Sequence, residues 1–253
     1  MAIIEAEQMI LDVLCPKGQV AVDVGANLGY YTQILYENNN MVYAYEPIPE
    51  LYNRLNDKYI DNNIIIKCCA ISEKIGELFI YIPTINQEEC FALASCYNKY
   101  DSAEKTRRQL VKSTTLDNEQ INDVGFIKID VEGYEYEVLN GALVTLKKYT
   151  PNLLIELEER HRKGTIYRTT NLLYNMGYRG FYIDLDKYSL EEMVVDEVVK
   201  NQNIYVENAK ENDSYNYINN FIFINERRIQ FFINEVKYRI PQIKLWRRMV
   251  KVK

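Results

Sequence analysis

The chain lacks any run of about 18 apolar residues, so nothing in it reads as a membrane span. Its opening, MAIIEAEQMILDVLCPKG, mixes acids into the apolar positions and has no basic start, so no secretory signal is expected. Cysteine is scarce: Cys15, Cys68, Cys69, Cys90 and Cys96 are odd in number, show no C-x-x-C spacing, and include an adjacent pair that bridges poorly. They are expected to be reduced and mostly buried, in a cytoplasmic protein. There is one histidine, His161, and one tryptophan, Trp246. With no internal repeat and no linker rich in Gly, Ser or Pro, a single domain over residues 1–253 is expected.

What is present suits a globular protein: 47% hydrophobic and 26% charged residues. The net charge of −6 is uneven, because residues 227–253 carry nine Lys/Arg and one acid, leaving −14 on the remainder. So acidic a body is a poor general binder of nucleic acid, whose affinity rests on cations meeting phosphates.

Strand-like and helix-like stretches alternate, the pattern of an α/β fold with a largely parallel sheet. A leading helix is expected over about 4–14. QVAVDV, MVYAYE and NIIIKCCAI then read as strands separated by the helices GYYTQILYE and IPELYNRLNDKY. GELFIYI and KSTTLD read as short strands around a polar loop containing CFALASCYNKYDSAEKT, an excursion of the kind that shapes substrate pockets. GFIKIDV (strand), YEYEVLNGALVTLKKY (helix), PNLLIELE (strand) and a helix around IYRTTNLLYNM, closed by Gly177, resume the alternation. After RGFYIDL comes a polar segment, roughly 186–220, and then NNFIFIN as the last strand of a core spanning about 18–226.

DVGANLGYYT follows the first strand as a glycine turn. A dinucleotide site wants G-x-G-x-x-G, but Asn27 stands at the second glycine, and no lysine follows to make a phosphate loop. Asp23 would repel a pyrophosphate and could help hold an ammonium group. S-adenosylmethionine fits, with its amino group, sulfonium and adenosine. Glu46, ending the second strand, is placed to accept hydrogen bonds from both ribose hydroxyls.

With DVGANLGYYT, YEPIPELYNRL, FIKIDVEGYEYEVLNGA and PNLLIELEE in this order, the chain resembles the FkbM-type family of S-adenosylmethionine-dependent methyltransferases over roughly residues 18–185. The resemblance implies a Rossmann-like, doubly wound, mostly parallel seven-stranded sheet whose last strand is antiparallel. It implies O-methylation of a sugar, glycan or related small metabolite; the alternatives are methylation of nitrogen or of a protein or nucleic-acid acceptor, or a catalytically inactive binding protein of the same fold. It places Asp23, Gly25, Asn27 and Gly29 around the methionyl end, Glu46 at the ribose, Ala70 and Ser72 at the adenine, and Asp130 beside the methyl donor. Tyr30 and Pro47 complete the expected cofactor set. Many relatives carry a histidine soon after the acid of the fifth strand, whereas here IELEERH has Glu158 there and places His161 later.

Methyl transfer needs the acceptor oxygen held in line with the methyl group and relieved of its proton. Candidate bases at the strand ends are Asp130, Glu132, Glu156, Glu158 and His161, and the expected catalytic set is Asp130, Glu158 and His161. Acids in IDVEG also stabilise helix starts, and period 2 puts Glu156 and Glu158 on one face. His161 lies in EERHRKG, which reads as a charged surface loop, although imidazole titrates in the useful range. Lys128 shares a face with Asp130 and reads as a partly buried, salt-bridged lysine. Ser95 is a loop serine that could reach a ligand. A divalent metal on Asp130 with Glu156 or Glu158 is a second possibility, and the metal-free mechanism is preferred.

The basic tail, 227–253, places Ile229, Phe232, Ile233, Val236 and Ile240 at helical spacing, interrupted by Pro241. A terminal helix packed on the acidic body, a homodimer contact, and an interfacial helix on an anionic membrane all fit this pattern.

Overall fold

The computed structural model describes residues 5–38, 41–59, 63–98, 106–208 and 217–251. Its strands are β1 (Val20–Val24), β2 (Met41–Tyr45), β3 (Ile64–Lys67), β4 (Ala70–Ile71), β5 (Gly76–Ile85), β6 (Glu88–Glu89), β7 (Thr106–Thr114), β8 (Val124–Ile129), β9 (Asn152–Glu156), β10 (Tyr178–Asp184), β11 (Ser189–Glu192) and β12 (Asn220–Asn225). Its helices are α1 (Leu11–Leu14), α2 (Tyr30–Glu37), α3 (Pro49–Lys58), α4 (Glu135–Asn140), α5 (Leu143–Tyr149), α6 (Thr165–Asn175), α7 (Val195–Asn208) and α8 (Ile229–Lys251).

The main sheet runs β3-β2-β1-β8-β9-β12-β10-β11. β3, β2, β1, β8 and β9 pair in parallel, and β12 inserts antiparallel between β9 and β10. This is the doubly wound order the resemblance implies, with β11 added as an eighth strand paired antiparallel to β10. The strands are apolar on both faces because helices cover both. Val22, Ile127, Phe221 and Phe223 pack toward α4, α5 and α6, while Ala21, Phe126, Ile222 and Ile224 pack toward α1, α2 and α8. The chain goes from β1 to β2 on one side and returns to β8 on the other, so a crevice opens above the carboxyl ends of β1 and β8.

Several expectations are corrected. NIIIKCCAI is not one strand: β3 ends at Lys67, and β4 leaves for a second sheet, β4-β7-β5-β6, built from the excursion. An unbroken apolar run gives no mark where a strand changes sheets. The helix at 134–149 divides at Gly141, which passes so close to Ser72 that a Cβ would lie 1.9 Å from its carbonyl oxygen. The leading helix is a 3-10 turn over Ala6–Ile10 followed by the short α1. Part of the polar segment folds as β11 and α7. Pro241 does not interrupt α8; it is exposed, where water can serve the carbonyl its ring leaves unbonded. Of the cysteines only Cys15 is fully buried and the other four are half-buried, all five as free thiols. Among the described residues, no helix is long and apolar enough to cross a membrane.

Candidate active site

The crevice holds a cleft of about 200 Å³. Its floor is the exit of β1. Gly25 N and Ala26 N both donate to Tyr45 O at 3.0 Å, and Asp130 N donates to Val24 O at 3.0 Å, tying the ends of β1, β2 and β8 together. Gly25 takes φ +84°, and a Cβ on it would fall 1.9 Å from the Asp130 carbonyl oxygen. Only glycine fits there.

Glu46 is the most constrained acid on the wall. Asn27 N donates to its Oε2 at 2.8 Å and Ile48 N to its Oε1 at 2.9 Å, so the carboxylate is fixed at the end of β2. Burial pushes its pKa up to about 7 against the opposing pull of those two N–H groups. Each oxygen keeps a further acceptor position. Beside it the wall is apolar: Ile48, Leu51, Ile71, Ile80 and Phe91. A carboxylate next to an apolar slot suits a nucleoside, with hydroxyls on one side and a flat base on the other. These residues therefore fit an adenosine-bearing cofactor.

Of the expected cofactor set, Gly25, Asn27, Glu46, Pro47, Ala70 and Asp130 line the cleft. Asp23, Gly29, Tyr30 and Ser72 do not. Asp23 points toward α2, is 2% exposed, and accepts from Thr32 Oγ1 at 2.6 Å; burial raises its pKa. Its carboxylate thereby ties the end of β1 to the first turn of α2. Gly29 packs against Leu55 and Tyr59. The Tyr30 hydroxyl donates to Gln8, and buried Ser72 meets the cleft-lining Tyr134 hydroxyl at 3.4 Å.

The expected catalytic residues divide. Asp130 lines the cleft and pairs with Lys128 Nζ at 3.2 Å. Lys128 is salt-bridged as expected, but it is almost wholly instead of partly buried. Burial would lower its pKa, but Asp130, Glu156 and Glu5 outweigh that and push it up to about 12. Glu158 is absent from the cleft wall. It is buried and held by Arg160 Nε and Nη2, by the Tyr217 hydroxyl at 2.5 Å and by Asn219 Nδ2 at 3.3 Å. Burial would raise its pKa, but Arg160, His161 and Tyr217 together hold it low, at about 2. Asn219 also donates to Glu156 at 2.8 Å, so the two acids do share one environment. Burial and the neighbouring Asp130 push the Glu156 pKa up.

His161 corrects the surface-loop reading: it is 5% exposed, with Nε2 at 2.9 Å from Glu132 Oε2. Glu132 lines the cleft. So does Ser95, whose Oγ donates to the Glu132 carbonyl oxygen at 2.7 Å and accepts from Tyr97 N. Tyr217 and Asn219, which bond the acids after the fifth strand, were not singled out because nothing in the polar segment distinguishes them, and Arg160 was not because it reads as one charge of the EERHRKG loop. Phe91, Ala94 and Cys96 were also missed individually, although the excursion that carries them was marked as pocket-forming. Among the described residues, no group of three or more His, Cys, Asp or Glu is placed to hold a metal ion.

A family model described as the methyltransferase FkbM domain matches residues 23–180. The chain belongs to the FkbM methyltransferase-domain family. One curated relative is the hexuronic acid methyltransferase AglP of Haloferax volcanii, 24% identical over 149 residues that cover 57% of this chain and 59% of AglP. Among solved structures, the methyltransferase FkbM from Methylobacillus flagellatus superposes with a TM-score of 0.51 at 16% identity, covering 81% of this chain and 43% of that one. The chain thus spans less than two thirds of the length of either. At that identity the solved structure shows a shared fold, and the residues matched by the family model include the glycine turn, Glu46 and Asp130.

Proposed function

We propose that the protein is an S-adenosylmethionine-dependent O-methyltransferase acting on a hydroxyl of a sugar, glycan or related small metabolite. The observation that carries the cofactor assignment is Glu46, clamped by Asn27 N and Ile48 N beside an apolar slot. Its outward acceptor positions take the two ribose hydroxyls, and Ile48, Leu51 and Ile71 take the base. Bound there, the cofactor supplies an electrophilic methyl group. The chain supplies alignment, which for an in-line displacement is a large part of the rate. Phe91 and Tyr134 line the cleft together with Asp130 and Glu132, a mix of aromatic faces and acceptors that suits a sugar ring and its hydroxyls. The sugar-modifying activity in the name of AglP agrees with this reading.

Calorimetry with S-adenosylmethionine and its demethylated product tests the cofactor. Micromolar binding to the intact protein, weakened at least tenfold by Glu46→Ala, is expected; no binding of either ligand rejects the proposal. Transfer of radiolabelled methyl to a panel of methyl glycosides, set against peptides and RNA, tests the acceptor class. Label only on peptide or RNA rejects the sugar reading.

A further inference from the structure

Glu132 is held in a backbone conformation that side chains avoid. Its φ of +58° is left-handed, a state that costs a non-glycine residue on the order of 1–3 kcal/mol and recurs at functional sites. Three contacts impose it. Ser95 Oγ grips its carbonyl oxygen at 2.7 Å. Gly133 follows at φ +105°, so close under His161 that a Cβ there would lie 3.1 Å from the His161 Cβ. His161 Nε2 stands 2.9 Å from Glu132 Oε2. The turn is thereby aimed so that the Glu132 side chain, 14% exposed, meets the cleft while His161 lies directly behind it.

The imidazole is unusual in its own right. Nε2 is buried with no aligned hydrogen bond, since the Glu132 oxygen, though near, is off the N–H axis. Glu158 Oε1 is on its other side at 3.9 Å and is already engaged by Arg160 Nη2 and Asn219. A buried nitrogen left this way costs about 1–3 kcal/mol, a cost that an aligned contact with Glu132 would remove.

We propose that Glu132 is the catalytic base that takes the acceptor's hydroxyl proton, and that His161 is the positioning residue whose Nε2–H holds the Glu132 carboxylate in place. This rests on the methyltransferase reading. The acceptor O–H bond breaks with its electron pair staying on oxygen, and the proton passes to a Glu132 carboxylate oxygen, from which water takes it once the product has left. The same oxygen forms the bond to the methyl carbon, and the pair of the broken methyl–sulfur bond stays on sulfur, so charge and electrons balance. Asp130 shares the wall, but its carboxylate is already engaged by the buried Lys128 ammonium at 3.2 Å.

The test measures methyl transfer to the best methyl glycoside of the panel, binding of the demethylated cofactor, and the spectrum of the single histidine in ¹⁵N-labelled protein. Glu132→Gln is expected to lower kcat at least 100-fold while changing KM and demethylated-cofactor affinity less than threefold. His161→Ala is expected to lower kcat at least tenfold and to regain activity with added imidazole, which a merely structural role would not do. The His161 Nε2 signal is expected to move in Glu132→Gln and to stay in place in the remote Glu226→Gln, which also keeps full activity. Unchanged turnover in Glu132→Gln, no imidazole rescue, or an unmoved histidine signal overturns the proposal. A wild-type protein that binds no cofactor and transfers nothing overturns the methyltransferase reading along with it.

Discussion

Glu46 joins the two roles of a site residue, a structural one facing its own backbone and a chemical one facing the cleft. Because burial lifts its pKa to about 7, it passes from neutral to ionised across the neutral range, and the ionised form is the stronger acceptor for hydroxyls. Affinity for the demethylated cofactor is therefore expected to be higher at pH 8 than at pH 6, with a midpoint near 7, and Glu46→Gln should flatten that dependence in a calorimetric pH series. Gly25 allows no such latitude. A Cβ at 1.9 Å from a backbone oxygen, on a residue with positive φ, forces the strand ends apart, so Gly25→Ala should abolish cofactor binding and lower the thermal midpoint. Both residues were legible in the sequence, because a turn and a strand-end acid are local patterns. Asp23 was legible as a member of the turn, but the direction of its side chain was not: that depends on Thr32 arriving from α2. His161 was hidden for the same reason, since its burial comes from contact with Glu132, remote in sequence and outside its charged loop.

Among elements, the parallel strands were read correctly wherever helices cover both faces, because a continuous apolar run bounded by turns is a strong signal. The errors fall where one element depends on another. β4 is recruited by β7, pairing Ala70 with Ser113 and Ile71 with Thr114, and α7 lies in a stretch whose polarity gave no amphipathic cue. α8 shows what its basic composition obscures: Phe232, Val236 and Ile243 are buried against the body, and the Phe232 ring lies 5.9 Å from Phe181. Phe232→Ala is expected to cost about 3–5 kcal/mol in chemical denaturation. α8 packs away from the cleft, so cofactor affinity of the folded fraction should be unchanged.

At the scale of the molecule, buried acids set the response to pH. Glu7, Glu46 and Glu135 are each pushed by burial from an ordinary value of 4.5 to about 7. Between those values the folded chain binds more protons than the unfolded one, so the stability they contribute is complete below about pH 4.5 and is lost as pH rises to 7. Glu158 acts in the opposite sense, its contribution fading as pH falls from 4.5 toward 2. Scanning calorimetry should accordingly show the unfolding temperature falling from pH 5 to pH 7.5, and Glu135→Gln should make that decline shallower. The placement of the second sheet has a different consequence. β4 through β7 form one continuous insertion between β3 and β8, and its Phe91, Ala92, Ala94, Ser95 and Cys96 line the cleft together with the glycine turn. The insertion thus supplies Ile71 and Ile80 of the apolar slot as well as the wall near Asp130 and Glu132, so exchanging it whole for another protein's would reshape both ends of the cleft at once.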